Sequence, residues 1–283
     1  MTPTVLDIVR KTTEFLAAKG VESARLDAEL LVGHALGLPR MQLYLQFERA
    51  LTQAELGRIR ELVRRRGRRE PLQYIVGTIE FCGLALRVDR RALIPRPETE
   101  RLVEAILERC PAAPRRVLDL GTGSGAIALA LARAWSEAAV TAVDASAEAL
   151  ALARENAAAA GLEGRVAFLQ SDWFQALPEG ARFELVAANP PYLTEEEAAS
   201  AAPEVRDHEP ARALAAGQDG LSALRGILAG AAARLEPGGL LAMETGAGHR
   251  AELERLASED AWREVESLPD LAGRDRYFFA RKP

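Results

Sequence analysis

Arg116-Val117-Leu118-Asp119-Leu120-Gly121-Thr122-Gly123-Ser124-Gly125-Ala126-Ile127-Ala128-Leu129-Ala130-Leu131-Ala132 runs from an apolar pentapeptide through three alternating glycines into an alanine-rich segment. The first part reads as a short buried strand and the last as a helix. Between them Gly121, Gly123 and Gly125 allow a sharp turn, a close approach of the backbone to a ligand, and helix N–H groups behind it. Strand, glycine turn and helix together open a unit of alternating strands and helices. The same alternation continues downstream, through strand Val140–Asp144, helix 147–160, and strands Val166–Leu169 and Leu185–Ala188. A helix over 221–235 and strands at Gly239–Glu244, Arg263–Val265 and Arg276–Ala280, with a helix over 249–258, complete it. Alternation of this kind predicts an α/β fold, with parallel strands joined by right-handed crossovers and helices on both faces. Ligands of such a sheet bind beyond the strand C-termini, near the point where the strand order reverses.

Upstream the period is helical. Val5, Ile8, Val9, Thr12, Phe15 and Leu16 form one apolar stripe, and Leu26, Leu30, Leu31, His34, Ala35 and Leu38 a second, with His34 read as packed. Thr52 with Glu55 three positions on predicts a capping box opening another helix. Residues 1–71 are therefore expected to form a small helical domain. Tyr74–Phe81 and Leu84–Val88 flank Cys82-Gly83 and read as two strands of a β-hairpin, making 72–94 a linker to a catalytic domain over 95–283.

The second informative stretch is Asn189-Pro190-Pro191-Tyr192, directly after the apolar run Phe183–Ala188. An Asn and two prolines at the end of a buried strand make a stiff corner rich in hydrogen-bond acceptors. If the Asn189 side-chain oxygen and the Pro190 carbonyl each accept one N–H of a planar amide or exocyclic amine, electron density shifts onto that nitrogen and its lone pair is aimed. Tyr192 is expected to pack on the planar group. Catalysis then rests on positioning and electrostatics, without a strong general base. The glycine turn, about 70 residues upstream, is where a cofactor would deliver the electrophile, which points to methyl transfer. A proline turn that merely closes a strand is the structural alternative.

Other positions at strand ends join these two. Asp144 suits a bidentate hold on ribose hydroxyls. Asp172 and Trp173 offer an acceptor and an aromatic face for an adenine ring; a capping Asp and a packed Trp would look the same in sequence. Gly121–Ala126 also satisfies the loose dinucleotide pattern, so a nicotinamide cofactor competes on the glycines and Asp144 alone, but it leaves Asn189–Tyr192 without a role. Arg64-Arg65-Arg66-Gly67-Arg68-Arg69 reads as a solvated helix end, with a basic dock for RNA or an acidic protein as the sharper alternative. His208, in the loop after the corner, is a candidate to line the cleft, and His249 reads as a helix-start residue.

Composition bounds the rest. The chain has 283 residues, 48% hydrophobic and 27% charged, enough for a substantial core. A net charge of −5 argues against broad adhesion to nucleic acid. Cys82 and Cys110 lack metal-ligand spacing and read as reduced thiols, and no metal is expected. With neither signal-peptide pattern nor apolar stretch of membrane-spanning length, the expected location is cytoplasmic.

At these residues the chain resembles the bacterial PrmC/HemK protein-glutamine methyltransferases, which modify peptide chain release factors. The resemblance runs through Leu93-Ile94-Pro95-Arg96-Pro97-Glu98-Thr99-Glu100, Asp119–Gly125, Val143-Asp144-Ala145-Ser146, Ser171-Asp172-Trp173, Asn189–Tyr192, His208-Glu209-Pro210 and Asp219-Gly220-Leu221. The Pro-Arg-Pro-Glu-Thr-Glu segment discriminates best, because many methyltransferases carry the glycine and Asn-Pro-Pro-Tyr motifs without it. The resemblance implies a class I S-adenosylmethionine-dependent methyltransferase fold, a doubly wound, mostly parallel seven-stranded sheet. It also implies transfer of a methyl group from S-adenosylmethionine to the side-chain amide of the Gln in the Gly-Gly-Gln loop of class I release factors. Cofactor contacts would fall to Gly121, Thr122, Gly123, Ser124, Gly125, Asp144, Asp172, Trp173 and Asn189. Asn189, Pro190, Pro191 and Tyr192 would cradle the substrate amide, with Asn189, Pro190 and Tyr192 catalytic. Arg96, Pro97 and Thr99 would line the cofactor side, and the helical domain would help a monomeric enzyme dock the release factor. A DNA adenine-N6 methyltransferase is the alternative, since the adenine amine fits the same corner. It would need a base-flipping, basic DNA-gripping face that the acidic balance disfavours. A non-catalytic scaffold holding a translation factor is the reading from another class.

Overall fold

A computed structural model describes residues 2–283. The chain divides into two compact units, one of residues 2–77 with Ala202–His208, the other Thr78–Ala201 with Glu209–Pro283.

In the first unit, α1 (Val5–Ala18) starts at a capping box in which Thr4 and Asp7 satisfy each other's backbone N–H groups. After α2 (Ala24–Leu36) and α3 (Arg40–Tyr44), α4 (Gln53–Gly67) opens on the expected Thr52–Glu55 box. Val5, Leu16, Leu31, Val32, Leu43, Leu51, Leu56 and Ile59 form the core. On α2, however, His34 is exposed, and the buried face instead carries Asp27 and Glu29 beside Ala28, Leu31 and Val32. Both carboxylates are partnered. Glu29 accepts from Arg25, Arg40 and Tyr44, the last two at 2.7 Å. Asp27 accepts from Arg66 at 2.6 Å, with both side chains less than a tenth exposed.

The basic run at the end of α4 is consequently neither a free patch nor merely a solvated end. Arg65 pairs with Glu70, Arg66 with Asp27 and Glu204, and Arg69 with Glu204. Burial pushes the Glu204 carboxyl up, and hydrogen bonds from Arg69, its own backbone and Arg66 more than reverse that, to about 2.

The segment read as the first hairpin strand is divided. Leu72–Val76 is a helical turn, α5, because Pro71 starts it and Tyr74 and Ile75, adjacent in sequence, are both buried, which a half-exposed strand does not permit. Gly77 ends it in the left-handed conformation (φ 83°), a common helix stop. The hairpin is then β1 (Thr78–Phe81) and β2 (Leu84–Arg87), turned by Cys82 and Gly83 at φ 47° and 72°.

The second unit continues with α6 (Pro97–Arg109), β3 (Arg116–Leu120), α7 (Ala126–Ala134), β4 (Ala139–Asp144), α8 (Ala147–Ala159), β5 (Val166–Gln170) and β6 (Phe183–Ala188). Two short helices follow in the chain, α9 (Glu195–Ser200) and α10 (Pro203–Arg206), the latter grouped with the first unit. Last come α11 (Ser222–Arg234), β7 (Leu235–Glu244), α12 (Arg250–Glu259), β8 (Arg263–Pro269) and β9 (Asp275–Arg281).

The sheet has seven strands in the order β5-β4-β3-β6-β7-β9-β8, parallel except where β9 runs against β7 and β8. Neighbouring residues of each central strand alternate between two cores. Val117, Val140, Leu185 and Ala187 pack with α6 and α7, and Leu118, Val143, Val186 and Ala188 pack with α11 and α12. This is the doubly wound, mostly parallel architecture expected. The strand order reverses between β3 and β6, which places the C-terminal ends of β3, β4, β6 and β7 around one crevice. Among the described residues no helix is long and apolar enough to cross a membrane.

Candidate active site

Beyond β3, the glycine turn has the backbone its composition predicts, with Gly121, Gly123 and Gly125 all at positive φ. The turn is held from both sides. Thr122 N–H bonds to the Val143 carbonyl at 2.9 Å, and the Gly123 N–H donates to Asp144 Oδ2 at 2.9 Å. Asp144 Oδ1 accepts from Ser146 N–H at 2.8 Å, so each carboxylate oxygen has one backbone donor and lone pairs to spare. Gly125 faces α8: a Cβ there would meet Ala153 and Leu129 at 3.2 Å, a tight contact added to the left-handed backbone (φ 87°) that already favours glycine.

Below the turn, Asp119 is fully buried. Its Oδ2 accepts from Thr122 Oγ1 at 2.6 Å and from Ala128 N–H at 3.1 Å, and its Oδ1 has no partner among the described residues. Burial drives its carboxyl from the ordinary 3.8 up to about 7, against the pull of the Thr122 and Ala128 bonds and with the Asp144 charge adding to the rise. A carboxyl whose folded-state value is raised holds its proton more tightly when folded. Its stabilising contribution is complete below about pH 4 and is lost as the pH climbs toward 7. The unfolding free energy of the wild type, compared with Asp119→Asn in urea titrations without cofactor, is expected to fall by a few kcal/mol, on the order of the linkage value, across that window. A difference independent of pH would show that the ionised form carries no burial cost.

Around the turn lies a cavity of about 230 Å³. Its walls include Gly121, Thr122, Gly123 and Ser124, with Asp144 from β4, Asp172 and Trp173 after β5, and Asn189 and Pro191 after β6. Trp173 holds a left-handed backbone (φ 47°), a strained state for a non-glycine residue, and its ring lies 3.5 Å from where a Gly121 Cβ would be. Gly125, Pro190 and Tyr192 are not among the lining residues. Leu93, Ile94, Pro95 and Thr99 line the wall from the Pro-Arg-Pro-Glu-Thr-Glu region, whereas Arg96 and Pro97 do not. Arg91 and Arg212, which the sequence reading did not single out, also line it. His208 does not; it belongs to the first unit.

Two of the discriminating sequence segments meet here. Glu209 is buried and accepts from Ile94 N–H at 3.1 Å and from the Arg96 guanidinium, while Arg96 Nη1 donates to the Ile94 carbonyl at 3.0 Å. Arg96 therefore shapes the wall without facing the cavity. Pro97 opens α6 at its first position, with Glu98 and Glu100 in the first turn, so that Thr99 is carried inward and buried.

The corner itself hangs on a buried network. Asn189 Nδ2 donates to Thr99 Oγ1 at 3.0 Å, and Thr99 Oγ1 donates to Glu244 Oε2 at 2.7 Å. Tyr192 OH donates to Glu244 Oε1 at 3.0 Å. Glu244, at the end of β7, is 1% exposed; burial raises its carboxyl, and the Thr99 and Tyr192 hydroxyls and the Arg276 charge offset part of that rise. Burial and the Glu244 charge raise the Tyr192 phenol, and Arg276 lies 5.5 Å from its ring. Tyr192 thus anchors the corner from behind. Gly220 closes on the same place: a Cβ there would stand 2.4 Å from the Tyr192 carbonyl. His249, the residue capping α12, accepts from Gly246 N–H at 3.1 Å through Nδ1, and burial lowers its pKa. Glu244 went unnoticed in the sequence; its only signal is an acidic residue ending an apolar strand.

Comparison with known proteins adds independent findings. Residues 7–77 match the PrmC N-terminal domain and 97–216 the methyltransferase small domain. The chain is 43% identical over 273 residues to the release factor glutamine methyltransferase of Geobacter sulfurreducens, covering 96% of this chain and 95% of that protein. It is 44% identical to the protein of the same name from Cereibacter sphaeroides, with 98% of each covered. Among solved structures, a methyltransferase from Pyrococcus furiosus aligns with a TM-score of 0.53 at 18% identity, over 71% of this chain and 89% of that one. The T. thermophilus 16S rRNA N2 G1207 methyltransferase, in complex with AdoMet and guanosine, aligns with a TM-score of 0.52 at 24% identity, over 73% and 50%. The structural matches speak for the fold.

Proposed function

Because this chain belongs to the release factor glutamine methyltransferase family, we propose that it methylates the side-chain amide nitrogen of the Gln in the Gly-Gly-Gln loop of class I peptide chain release factors, with S-adenosylmethionine as donor. The observation that carries this reading is one cavity walled by the glycine turn and Asp144 on one side and by Asn189 on the other.

The residues present fit that cofactor. The Asp144 carboxylate has acceptor capacity left for two ribose hydroxyls, the turn gives close backbone approach, and Trp173 offers an aromatic wall. Bound there, S-adenosylmethionine supplies an electrophilic methyl group on a sulfonium. The chain's own part is to aim the nitrogen. Asn189 Oδ1 and the Pro190 carbonyl each accept one N–H of the substrate amide, which turns its lone pair toward the cofactor side and increases its electron density. Transfer would exchange the methyl carbon's bond to sulfur for one to the amide nitrogen, with a neutral thioether as leaving group, and the nitrogen's extra proton would pass to water without a dedicated base. Pro190 and Pro191 keep the corner stiff, so little reorganisation is needed.

In the same reading the helical unit docks the release factor, and the enzyme acts as a monomer in the cytoplasm without engaging DNA or membrane. The decisive experiment incubates the protein with radiolabelled S-adenosylmethionine and one of three acceptors. These are a release factor, the same factor with its loop Gln changed to Ala, and duplex DNA. Label on the intact factor alone is expected; label on DNA would favour the adenine enzyme, and no label anywhere a binding scaffold.

Asp144→Ala is expected to weaken S-adenosylmethionine binding by roughly 10- to 100-fold, the loss of charge-assisted hydrogen bonds, and to leave transfer at saturating cofactor near normal. Calorimetric titration against steady-state kinetics separates the two quantities. An unchanged dissociation constant would remove Asp144 from the cofactor site.

A further inference from the structure

An asparagine amide can sit in either of two orientations, and only one of them presents oxygen to a substrate N–H. With Nδ2 toward the substrate amide, donor would face donor. Something in the chain has to decide between them.

The buried network does so by counting protons. Both Glu244 oxygens are acceptors here, one from Thr99 and one from Tyr192, and in its ionised form the carboxylate has no hydrogen to give back. Thr99 has one hydroxyl proton, and it is given to Glu244 Oε2 at 2.7 Å. What Thr99 has left for Asn189 is a lone pair, so the end of the Asn189 amide that meets it, at 3.0 Å, must be the N–H₂. Oδ1 is left as the end without a partner among the described residues. Tyr192 OH occupies the other Glu244 oxygen at 3.0 Å, which keeps the carboxylate from swinging away from Thr99. Thr99 and Glu244 are buried, at 3% and 1% exposure, so water does not compete for these positions.

We propose that Thr99 and Glu244 are positioning residues that fix which end of the Asn189 amide meets the substrate. The proposal rests on the methyltransferase reading of the site and deepens it. It also gives the threonine of the Pro-Arg-Pro-Glu-Thr-Glu segment a job: Thr99 is the bridge across which a residue 145 positions away orients the corner.

The test compares Thr99→Val, which keeps the shape and removes the hydroxyl, with Thr99→Ser, which keeps the hydroxyl. For Thr99→Val, kcat for methylation of a release factor is expected to fall roughly 10- to 100-fold, the scale of one misaligned hydrogen bond at a reacting group. The KM and the calorimetric Kd for S-adenosylmethionine should stay within about threefold, because valine keeps the shape with which residue 99 lines the cavity wall. Thr99→Ser should restore kcat to within about threefold of the wild type. Glu244→Gln replaces an acceptor-only group with one that also donates and should lower kcat about 10-fold. Thermal melting of every variant separates misfolding from misorientation, and if Glu244→Gln fails to fold the Thr99 pair alone decides. A Thr99→Val enzyme with wild-type kcat would overturn the proposal, as would a loss that Thr99→Ser shares or one matched by equal loss of cofactor affinity. Wild-type protein that labels no release factor would instead bring down the functional reading, and the relay with it.

Discussion

Asn189→Ala is expected to slow methyl transfer to a release factor by about 10²- to 10³-fold, the scale seen when one preorganised hydrogen-bonding group is removed from a reacting centre. Cofactor affinity should stay within a few-fold, because the role assigned to Asn189 is toward the substrate nitrogen. The fold should survive, since Asn189 is only partly buried and lies at the strand's exit rather than in the sheet core. Single-turnover rates at saturating S-adenosylmethionine, set beside calorimetric affinities, check both halves. Equal loss of rate and affinity would mean that Asn189 serves the cofactor first.

The largest effect on stability is expected in the helical unit. Arg66 is 7% exposed and serves two carboxylates at once, Asp27 at 2.6 Å and Glu204 at 2.8 Å. Removing Arg66 strands the buried Asp27 carboxylate without its cation, and leaving one buried charge unpaired is far worse than replacing a pair by apolar groups. Arg66→Ala should therefore destabilise the helical unit by about 3–5 kcal/mol in urea unfolding. Adding Asp27→Leu to Arg66→Met should recover a large part of that loss, because one stranded charge is then gone; Glu204 retains Arg69 at 2.7 Å. If Arg66→Ala cost no more than an exposed arginine, the cluster would be a bystander.

That arginine also shows where a linear reading stops. A string of five arginines around Gly67 looks like a solvated end or a basic dock, and nothing within it announces Asp27, 39 positions upstream. The same limit applied to α2, whose inward face carries two carboxylates that a hydrophobic period passes over, so that exposed His34 was assigned to the core. Tyr74 and Ile75 misled for a different reason: β-formers beside a glycine suit a strand, but the packing of the helical core drew them into a turn of helix. What was legible was what local chemistry dictates. The three glycines announce a backbone that only glycine adopts freely, the alternation of apolar runs announces a doubly wound sheet, and the double proline announces a stiff corner. The support behind that corner was not legible. Thr99, Tyr192 and Glu244 come from a helix N-terminus, a loop and a strand end, and their meeting is a property of the sheet order rather than of any one segment.

Residues 202–208 are grouped with the helical unit although both flanking stretches belong to the other, so the polypeptide changes units at 77/78, 201/202 and 208/209. The front unit is therefore not a detachable prefix. A recombination event or an engineered truncation at Gly77 would carry away Arg66 and Arg69 and leave Glu204 behind, a carboxylate stripped of both its cations, on the stretch that follows the Asn189–Tyr192 corner. Inheritance of the two units as a single gene segment is what this threading favours, and swapping front units between relatives would require exchanging the short internal stretch in the same step.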